Sequence, residues 1–397
     1  MPRELRDVVF VDGVRTPFGK AGSLYAETRA DDLVVNCIRE LLRRHPELPP
    51  ERVDEVAIAA TTQVGDQGLT IGRTAALLAG LPRSVPGFAI DRMCAGAMTA
   101  VTNVASAIGV GAIDVAVAGG VEVMSRVPIG SNVARPLDLG VPVPKTYFPL
   151  YEYTSQFEGA ERIAAKWGVT RADTDGLGFR SQQLGAQAWA EDRFGTQVLP
   201  LDAPDLGEDG KPTGTTHHVA RDEGLRDTTL ETLGNLKAVV GDDGVHTAGT
   251  SSQISDGASA VLMMTAEKAE ALGVTPLARI VDTCLVGVDP VLMLTGPIDA
   301  TRHLLARNDL SIGDIDLFEI NEAFASVVLA WQRELDGDLD RVNPNGGAIA
   351  LGHPLGATGT ILLTKAVHEL QRSGGQRAIV TMCCGGGLGT GTLIERI

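Results

Sequence analysis

Short apolar runs alternate along the chain with longer stretches in which apolar side chains recur every three or four positions. Val8-Val9-Phe10-Val11 is one such run and predicts a strand, with loop following over Asp12 to Lys20. Leu33, Cys37, Leu41 and Leu42 share one face of a predicted helix over Ala30 to Arg44. Strands at Val56–Ala59, Gly87–Ile90 and Asp114–Ala118 and helices at Arg73–Ala79 and Ala95–Val110 continue the alternation. Strand–helix alternation with uninterrupted apolar strands predicts an α/β fold with a largely parallel sheet.

The plan recurs. Leu48, Val53, Asp54 and Val56 have counterparts in Leu310, Ile315, Asp316 and Phe318, at an offset of 262 residues (316 − 54). Val115 to Gly120 resembles Ala378 to Gly386 at an offset of 266 (385 − 119). Two matches in the same order predict a duplicated unit. Between the halves, about Val121 to Gly249, the character changes. Arg-Pro, Val-Pro and Lys-Thr-Tyr turns precede helices predicted at Glu158–Trp167 and Arg171–Phe194, and polar loop follows. This reads as an insertion covering a site, or as a scaffold excursion with no ligand role.

Composition narrows the classes. A chain of 397 residues, 44% hydrophobic and 21% charged, is globular. Aromatics at 4% leave the core to Ala, Val, Leu and Ile. A net charge of −16 excludes nonspecific nucleic-acid binding, which needs a basic face, but not an anionic small ligand, which needs only a local basic patch. Cys37, Cys94, Cys284, Cys383 and Cys384 form neither an even disulfide framework nor a C-x-x-C zinc pair. Free thiols predict a reducing compartment. Met1 to Asp7 lacks the apolar stretch of a secretion signal. The weakly charged run Cys94–Met124 contains Asp114 and Glu122, is broken by Gly109, Gly111, Gly119 and Gly120, and predicts a buried helix and strand rather than a membrane span.

Four places offer chemistry. Asn343 to Gly359 holds five glycines, two prolines and His353 in seventeen residues, a shaped loop ahead of a helix predicted at Thr358–Arg372. Cys94 follows a strand and opens a helix, where positive end charge lowers a thiol pKa; a small buried hydrophobe is the plainer reading. Cys383 ends a strand before Gly385-Gly386-Gly387, whose open N–H groups suit an oxyanion. A dinucleotide fingerprint is disfavoured there because Thr392-Leu393-Ile394 predicts a closing strand, and Cys383 and Cys384 should face opposite ways, which is poor for a metal. Asn321-Glu322 follows the strand Leu317–Ile320 and reads as a helix cap or a functional amide. His217, His218 and His246 lie in polar sequence and read as solvated. The signatures of nucleotide hydrolysis and of serine esterases do not occur.

In combination these stretches resemble the thiolase family, the 3-ketoacyl-CoA thiolases and acetyl-CoA acetyltransferases. The resemblance runs from Arg15-Thr16-Pro17-Phe18-Gly19-Lys20 through the Cys94 region and Ala118-Gly119-Gly120-Val121-Glu122. It continues in Ala160-Glu161-Arg162, Arg226-Asp227-Thr228-Thr229, Ser255-Asp256-Gly257-Ala258, Asn321-Glu322-Ala323-Phe324, the Gly352-His353-Pro354 loop and the Cys-x-Gly-Gly-Gly end. It implies a duplicated five-layered α/β/α/β/α core with an inserted loop domain. Residues 1–120 and 250–270 would form the N-terminal half, 121–249 the loop domain that binds CoA and the acyl group, and 271–397 the C-terminal half.

The implied activity is thiolytic cleavage of 3-ketoacyl-CoA by CoA. No cofactor is bound permanently and no metal is needed; coenzyme A is the co-substrate. Cys94 would be acylated, His353 would activate it, and Cys383 would be the general acid/base. Asn321 would hold a water that acts with His353 on an oxyanion, and the backbone N–H groups of Cys94 and Gly385 would form a second oxyanion hole. Ser252 matches a coenzyme A contact and Gln156 a position near the acyl chain. The family also implies a cytoplasmic homodimer or homotetramer that associates with other β-oxidation enzymes. Cys94-Ala95-Gly96-Ala97 departs from the usual Cys-x-Ser-Gly, Asp91 replaces the usual Asn, and Phe157 and Glu158 are unusual. Alternatives are biosynthetic acetoacetyl-CoA formation, a decarboxylating ketoacyl synthase, disfavoured by Cys383, and an acyl-CoA-binding protein without turnover.

Overall fold

The computed structural model describes residues 5–133, 140–207, 209 and 211–397. Residues 1–4 and the Arg135-Pro136 turn lie outside them. The chain begins with β1 (Val8–Arg15), β2 (Gly19–Lys20), α1 (Ala30–Arg44), β3 (Glu55–Ala59), α2 (Ile71–Leu78), β4 (Gly87–Ile90), α3 (Gly96–Gly109) and β5 (Val115–Val123). Next come α4 (Gln156–Trp167), α5 (Arg171–Ala190), β6 (Leu201–Leu206), β7 (Pro212–Val219) and α6 (Leu230–Gly234). The last part holds β8 (Ser255–Thr265), α7 (Ala266–Leu272), β9 (Ala278–Gly287), α8 (Gly296–Arg307), β10 (Leu317–Ile320), α9 (Ala325–Leu335), α10 (Thr358–Ser373), β11 (Arg377–Cys384) and β12 (Leu388–Arg396).

The strands run in the order β10-β11-β12-β9-β1-β8-β5-β3-β4, and β2 adds to β8. β1 joins the two halves, pairing antiparallel with β8 on one side and with β9 on the other. Strand alternation builds the layers. Val9, Val11 and Val14 face an outer core with α1 and α2, whereas Val8 and Phe10 face a central core with α3 and α10. In the second half Ile379 and Cys383 face an outer core with α8 and α9, whereas Ala378, Val380, Met382 and Cys384 face the same central core. Helices therefore cover both outer faces and fill the space between the sheet halves, which makes five layers.

The duplication is also written in hydrogen bonds. Asp54 Oδ2 accepts from the N–H groups of Asp114 (2.8 Å) and Val115 (2.9 Å). Asp316 Oδ2 accepts from those of Gln376 (2.7 Å) and Arg377 (2.9 Å), 262 residues later. One carboxylate thus ties the start of β3 to β5, and its copy ties the start of β10 to β11.

Three expectations fail. The sheet is mixed, with only β3–β4, β3–β5 and β10–β11 parallel among the described residues, because β8 and β12 return antiparallel beside β5 and β11. β1 does not stop at Val11 but continues past a bulge to Arg15, a span whose charge and glycine imitate a loop. Arg15 is fully buried in a bidentate pair with Asp222 at 2.7 and 2.9 Å, and a Cβ on Gly13 would strike Thr364 of α10 at 2.3 Å. The polar stretch after α5 contains the β6–β7 hairpin, hidden from sequence by Pro204 and by its Asp and Thr content. The segment between β5 and β8 leaves and re-enters the sheet at paired residues, Val123 and Asp256.

Candidate active site

The parallel pair β10–β11 sets the position of two residues. Asn321 leaves β10 with its N–H on Thr381 O (3.1 Å), and Cys383 lies two residues further along β11. Ligands in α/β sheets bind beyond the carboxyl ends of parallel strands. Asn321 is not the cap of α9, whose N-cap is Phe324; its side chain turns instead to the imidazole loop, with Nδ2 3.4 Å from His353 Nε2. Cys94 reaches this region from the other half. A Cβ on Gly359, in the first turn of α10, would lie 2.2 Å from the N of Met98 in the first turn of α3, so the helix starts after His353 and Cys94 touch. Gly96 also has a packing cause: a Cβ there would meet the Cβ of Ala59 at 2.8 Å.

Hydrogen bonding assigns the His353 tautomer. Thr358 Oγ1 donates to Pro354 O (2.8 Å), so it accepts from His353 Nδ1–H (2.7 Å). Nε2 then carries the lone pair, and Asn321 Nδ2–H points at it. The ring is 3% exposed, and burial pushes its pKa down to about 4, so His353 is neutral near pH 7.

The thiols behave differently from the helix-end expectation. Burial pushes the Cys94 thiol up to about 12, although the backbone N–H groups of Gly385 and of Cys94 itself point at the sulfur and favour the thiolate. Desolvation outweighs those donors, and Glu122 and Asp91 push the same way. Burial also raises the Cys383 thiol well above its usual value, helped by the neighbouring Cys94 and Cys384. Cys384 faces the central core with Cys94, its thiol raised by burial, while the Ala95 N–H favours its thiolate. A buried thiol with so high a pKa ionises near pH 7 only if a base takes its proton.

Gln156 opens α4, and its Nε2 lies 3.0 Å from where a Cβ of Gly385 would be, so it reaches the thiol cluster. Phe157 packs edge-on against Phe324 at 5.2 Å, and Glu158 closes a capping box with Ser155, a local reason for both unusual residues. Ser252 donates its N–H to Ala323 O (2.9 Å), two residues from Asn321. Next to it Gln253 contacts Arg226 Nη2 (3.4 Å), at the edge of a cavity of about 160 Å³ lined by Gln182, Arg226, Thr228, Leu233 and Gly249 among others. The sequence gives Arg226 no role of its own, although it opens the Arg226-Asp227-Thr228-Thr229 stretch that carries part of the family resemblance. His246 corrects an expectation outright. It is fully buried, with Nδ1 3.0 Å from Glu161 Oε1, Nε2 accepting from Ser326 N–H (3.4 Å) and its ring against Phe324. His217 is half-buried and pairs with Asp205, and His218 is exposed beside Asp202.

Among the described residues no helix is long and apolar enough to cross a membrane. Residues 8–267 match the thiolase N-terminal domain and residues 274–396 the thiolase C-terminal domain. The chain is 42% identical to a 3-ketoacyl-CoA thiolase of Bacillus subtilis, covering 98% of this chain and 100% of that protein. It is 41% identical to a β-ketoadipyl-CoA thiolase of Pseudomonas knackmussii, covering 99% and 100%. The crystal structure of the Bacillus anthracis acetyl-CoA acetyltransferase superposes with a TM-score of 0.90 at 36% identity, covering 99% of this chain and 100% of that one.

Proposed function

Because the chain belongs to the thiolase family, we propose that its buried cluster is the site of a degradative thiolase working through an acyl-cysteine. The protein is an acyltransferase that cleaves 3-ketoacyl-CoA with coenzyme A as co-substrate and has no permanent cofactor. The residue roles rest chiefly on one observation: a neutral His353 whose Nε2 lone pair meets Asn321, ahead of a helix that packs against the one Cys94 precedes, whose sulfur faces the Gly385 N–H.

In the proposed sequence His353 Nε2 takes the Cys94 proton and the sulfur attacks the C3 carbonyl carbon. The C2–C3 bond then breaks, and its electrons form the enolate of acetyl-CoA. Cys383 gives that carbon its thiol proton, so acetyl-CoA leaves and an acyl thioester stays on Cys94. A second CoA passes its thiol proton to Cys383 and takes the acyl group. Cys94 regains its proton from His353. Covalent catalysis in two halves gives ping-pong kinetics. A water held by Asn321 would act with His353 on one oxyanion, and the N–H groups of Cys94 and Gly385 on the other. Each donor would be worth about 2.7–4 kcal/mol.

Ser252 and Gln156 would contact CoA and the acyl chain. The cavity beside Arg226 would take the nucleotide end of CoA, where a guanidinium that forms no carboxylate ion pair among the described residues supplies the local positive charge that the phosphates need. Residues 1–120 with 250–270, 121–249 and 271–397 would act as N-terminal half, CoA- and acyl-binding loop domain and C-terminal half. A cytoplasmic homodimer or homotetramer serving β-oxidation, alongside the other enzymes of that route, completes the reading. All five cysteines are free and buried, and the edge strand β4 is half-exposed beside exposed Leu77, Leu78 and Met93, a surface suited to a second copy. Incubation with 3-ketoacyl-CoA of graded chain length should label Cys94 with the acyl group and release acetyl-CoA. No labelling and no CoA-dependent loss of any substrate would sink the reading. A monomer by light scattering would sink the oligomer.

A further inference from the structure

We propose that Glu122 is a positioning residue that holds the Cys94 and His353 loops in register with each other. Its carboxylate is fully buried near the end of β5. Its two oxygens accept four hydrogen bonds. Oε2 receives the N–H groups of Thr61 and of Gly356, both at 2.9 Å. Oε1 receives Gln67 Nε2 (2.7 Å) and the Thr62 N–H (3.2 Å). Among the described residues no lysine or arginine pairs with it. A buried carboxylate without a cation persists only where donors replace water.

The two donors on Oε2 lead to the two halves of the site. Thr61 donates its hydroxyl to Met93 O (3.1 Å), and Met93 holds a left-handed φ of +48° immediately before Cys94. Gly356 lies three residues after His353. The fit there is tight: a Cβ on Gly356 would meet Val121 O at 2.5 Å and Glu122 Oε2 at 2.9 Å, and one on Gly120 would meet Gly356 O at 1.9 Å. One carboxylate oxygen therefore fixes the nucleophile loop, by way of Thr61, and the imidazole loop directly. Gln67 locks the carboxylate in turn, because its Oε1 accepts the Val123 N–H at 2.7 Å.

A glutamine at 122 has one acceptor oxygen for two pairs of donors. In either flip its NH2 group faces two N–H donors, so one pair is lost. A misplacement of about 1 Å between nucleophile and base can cost on the order of a hundredfold in rate. The proposal rests on Cys94 and His353 being the acylated thiol and its base. The test compares wild type, Glu122→Gln, Thr61→Val and Thr61→Ser for single-turnover acylation of Cys94 by acetoacetyl-CoA near pH 7. Alkylation of Cys94 by iodoacetamide is measured in parallel above about pH 9, where hydroxide replaces the base.

Thr61→Val removes only the Met93 arm and keeps the side-chain shape. The expected result is that Glu122→Gln and Thr61→Val slow acylation roughly tenfold or more. Alkaline alkylation should stay within about twofold, and Thr61→Ser should restore acylation. Acylation within about twofold of wild type in Thr61→Val would overturn the proposal, as would parallel loss of both reactions, since general damage does not tell a base from hydroxide. Should wild type not acylate at Cys94, the role assignment fails first and this inference with it.

Discussion

His353 Nδ1–H donates to Thr358 Oγ1 across 2.7 Å, and this contact decides which ring nitrogen carries the lone pair. The hydroxyl hydrogen is spent on Pro354 O, so Thr358 can only accept. Thr358→Val should therefore free the ring to rotate or change tautomer without opening a large cavity. The loss of one hydrogen bond of about 1.5 kcal/mol predicts a fall in kcat/KM of about tenfold, with Thr358→Ser close to wild type. Steady-state kinetics on acetoacetyl-CoA measures both; equal rates in all three proteins would show that Thr358 does not set the tautomer.

Cys383 and Cys384 face opposite sides of β11, yet each lies close enough to Cys94 for a charge there to raise its thiol pKa. Three alanine variants separate their roles. Cys94→Ala should abolish acyl-enzyme formation. Cys383→Ala should stop carbon–carbon cleavage while Cys94 still accepts an acyl group from acyl-CoA. Cys384→Ala should keep turnover within about threefold, the effect of trimming one buried side chain beside the site. If Cys384→Ala loses cleavage and Cys383→Ala does not, the acid is Cys384.

The pH profile follows from burial. The His353 pKa is pushed down to about 4, below the ordinary value of 6.5. The acid limb of Cys94 acylation should therefore fall near 4, with activity flat through 6.5. The same shift links to stability: a folded value below the unfolded one leaves stability whole above 6.5 and erodes it as pH falls toward 4, where the folded ring also protonates. The slope in that window is at most about 1.4 kcal/mol per pH unit for this group. Activity lost with a midpoint near 6.5, while the protein stays folded, would refute the neutral, buried base.

Lys365 on α10 is 1% exposed and donates to Glu319 Oε2 (3.0 Å) and to Gly346 O (2.5 Å), joining β10 to the start of the imidazole loop. Lys365→Met strands Glu319, whose pKa burial already raises to about 7. Breaking a buried pair from one side should cost about 3–5 kcal/mol in urea unfolding. Glu319→Gln breaks the same pair from the other side and strands the Lys365 ammonium, so it should cost a similar amount, reduced only by the hydrogen bond the amide oxygen can still accept. A change of under about 1 kcal/mol in Lys365→Met would show the pair to be dispensable.

Much of the fold was legible where local pattern and burial agree. The apolar face of α1 and the runs in β3, β4 and β10 predicted those elements to within a residue, because each carries its apolar pattern locally, even in β4, which is only half-buried. The repeated Asp54 and Asp316 signalled a duplication, since each performs the same backbone task. What misled was polarity. Arg15, Asp222 and His246 are as polar as any surface residue, and each is buried because a partner far along the chain satisfies it. No window of sequence contains that partner.

The sequence by itself determined the kinds of group present: two thiols, one imidazole and one amide in settings of glycine and strand ends, together with the family that such settings resemble. Tertiary structure alone decided their states. The Cys94 thiol rises to about 12 rather than falling because desolvation outweighs the N–H groups that face it, and desolvation depends on everything packed around the sulfur. His353 is neutral with its lone pair on Nε2 because Thr358 orients it and burial strips its water. The meeting of the two loops depends on a close approach of Gly359 to Met98, more than 250 residues apart, which only the folded chain can arrange.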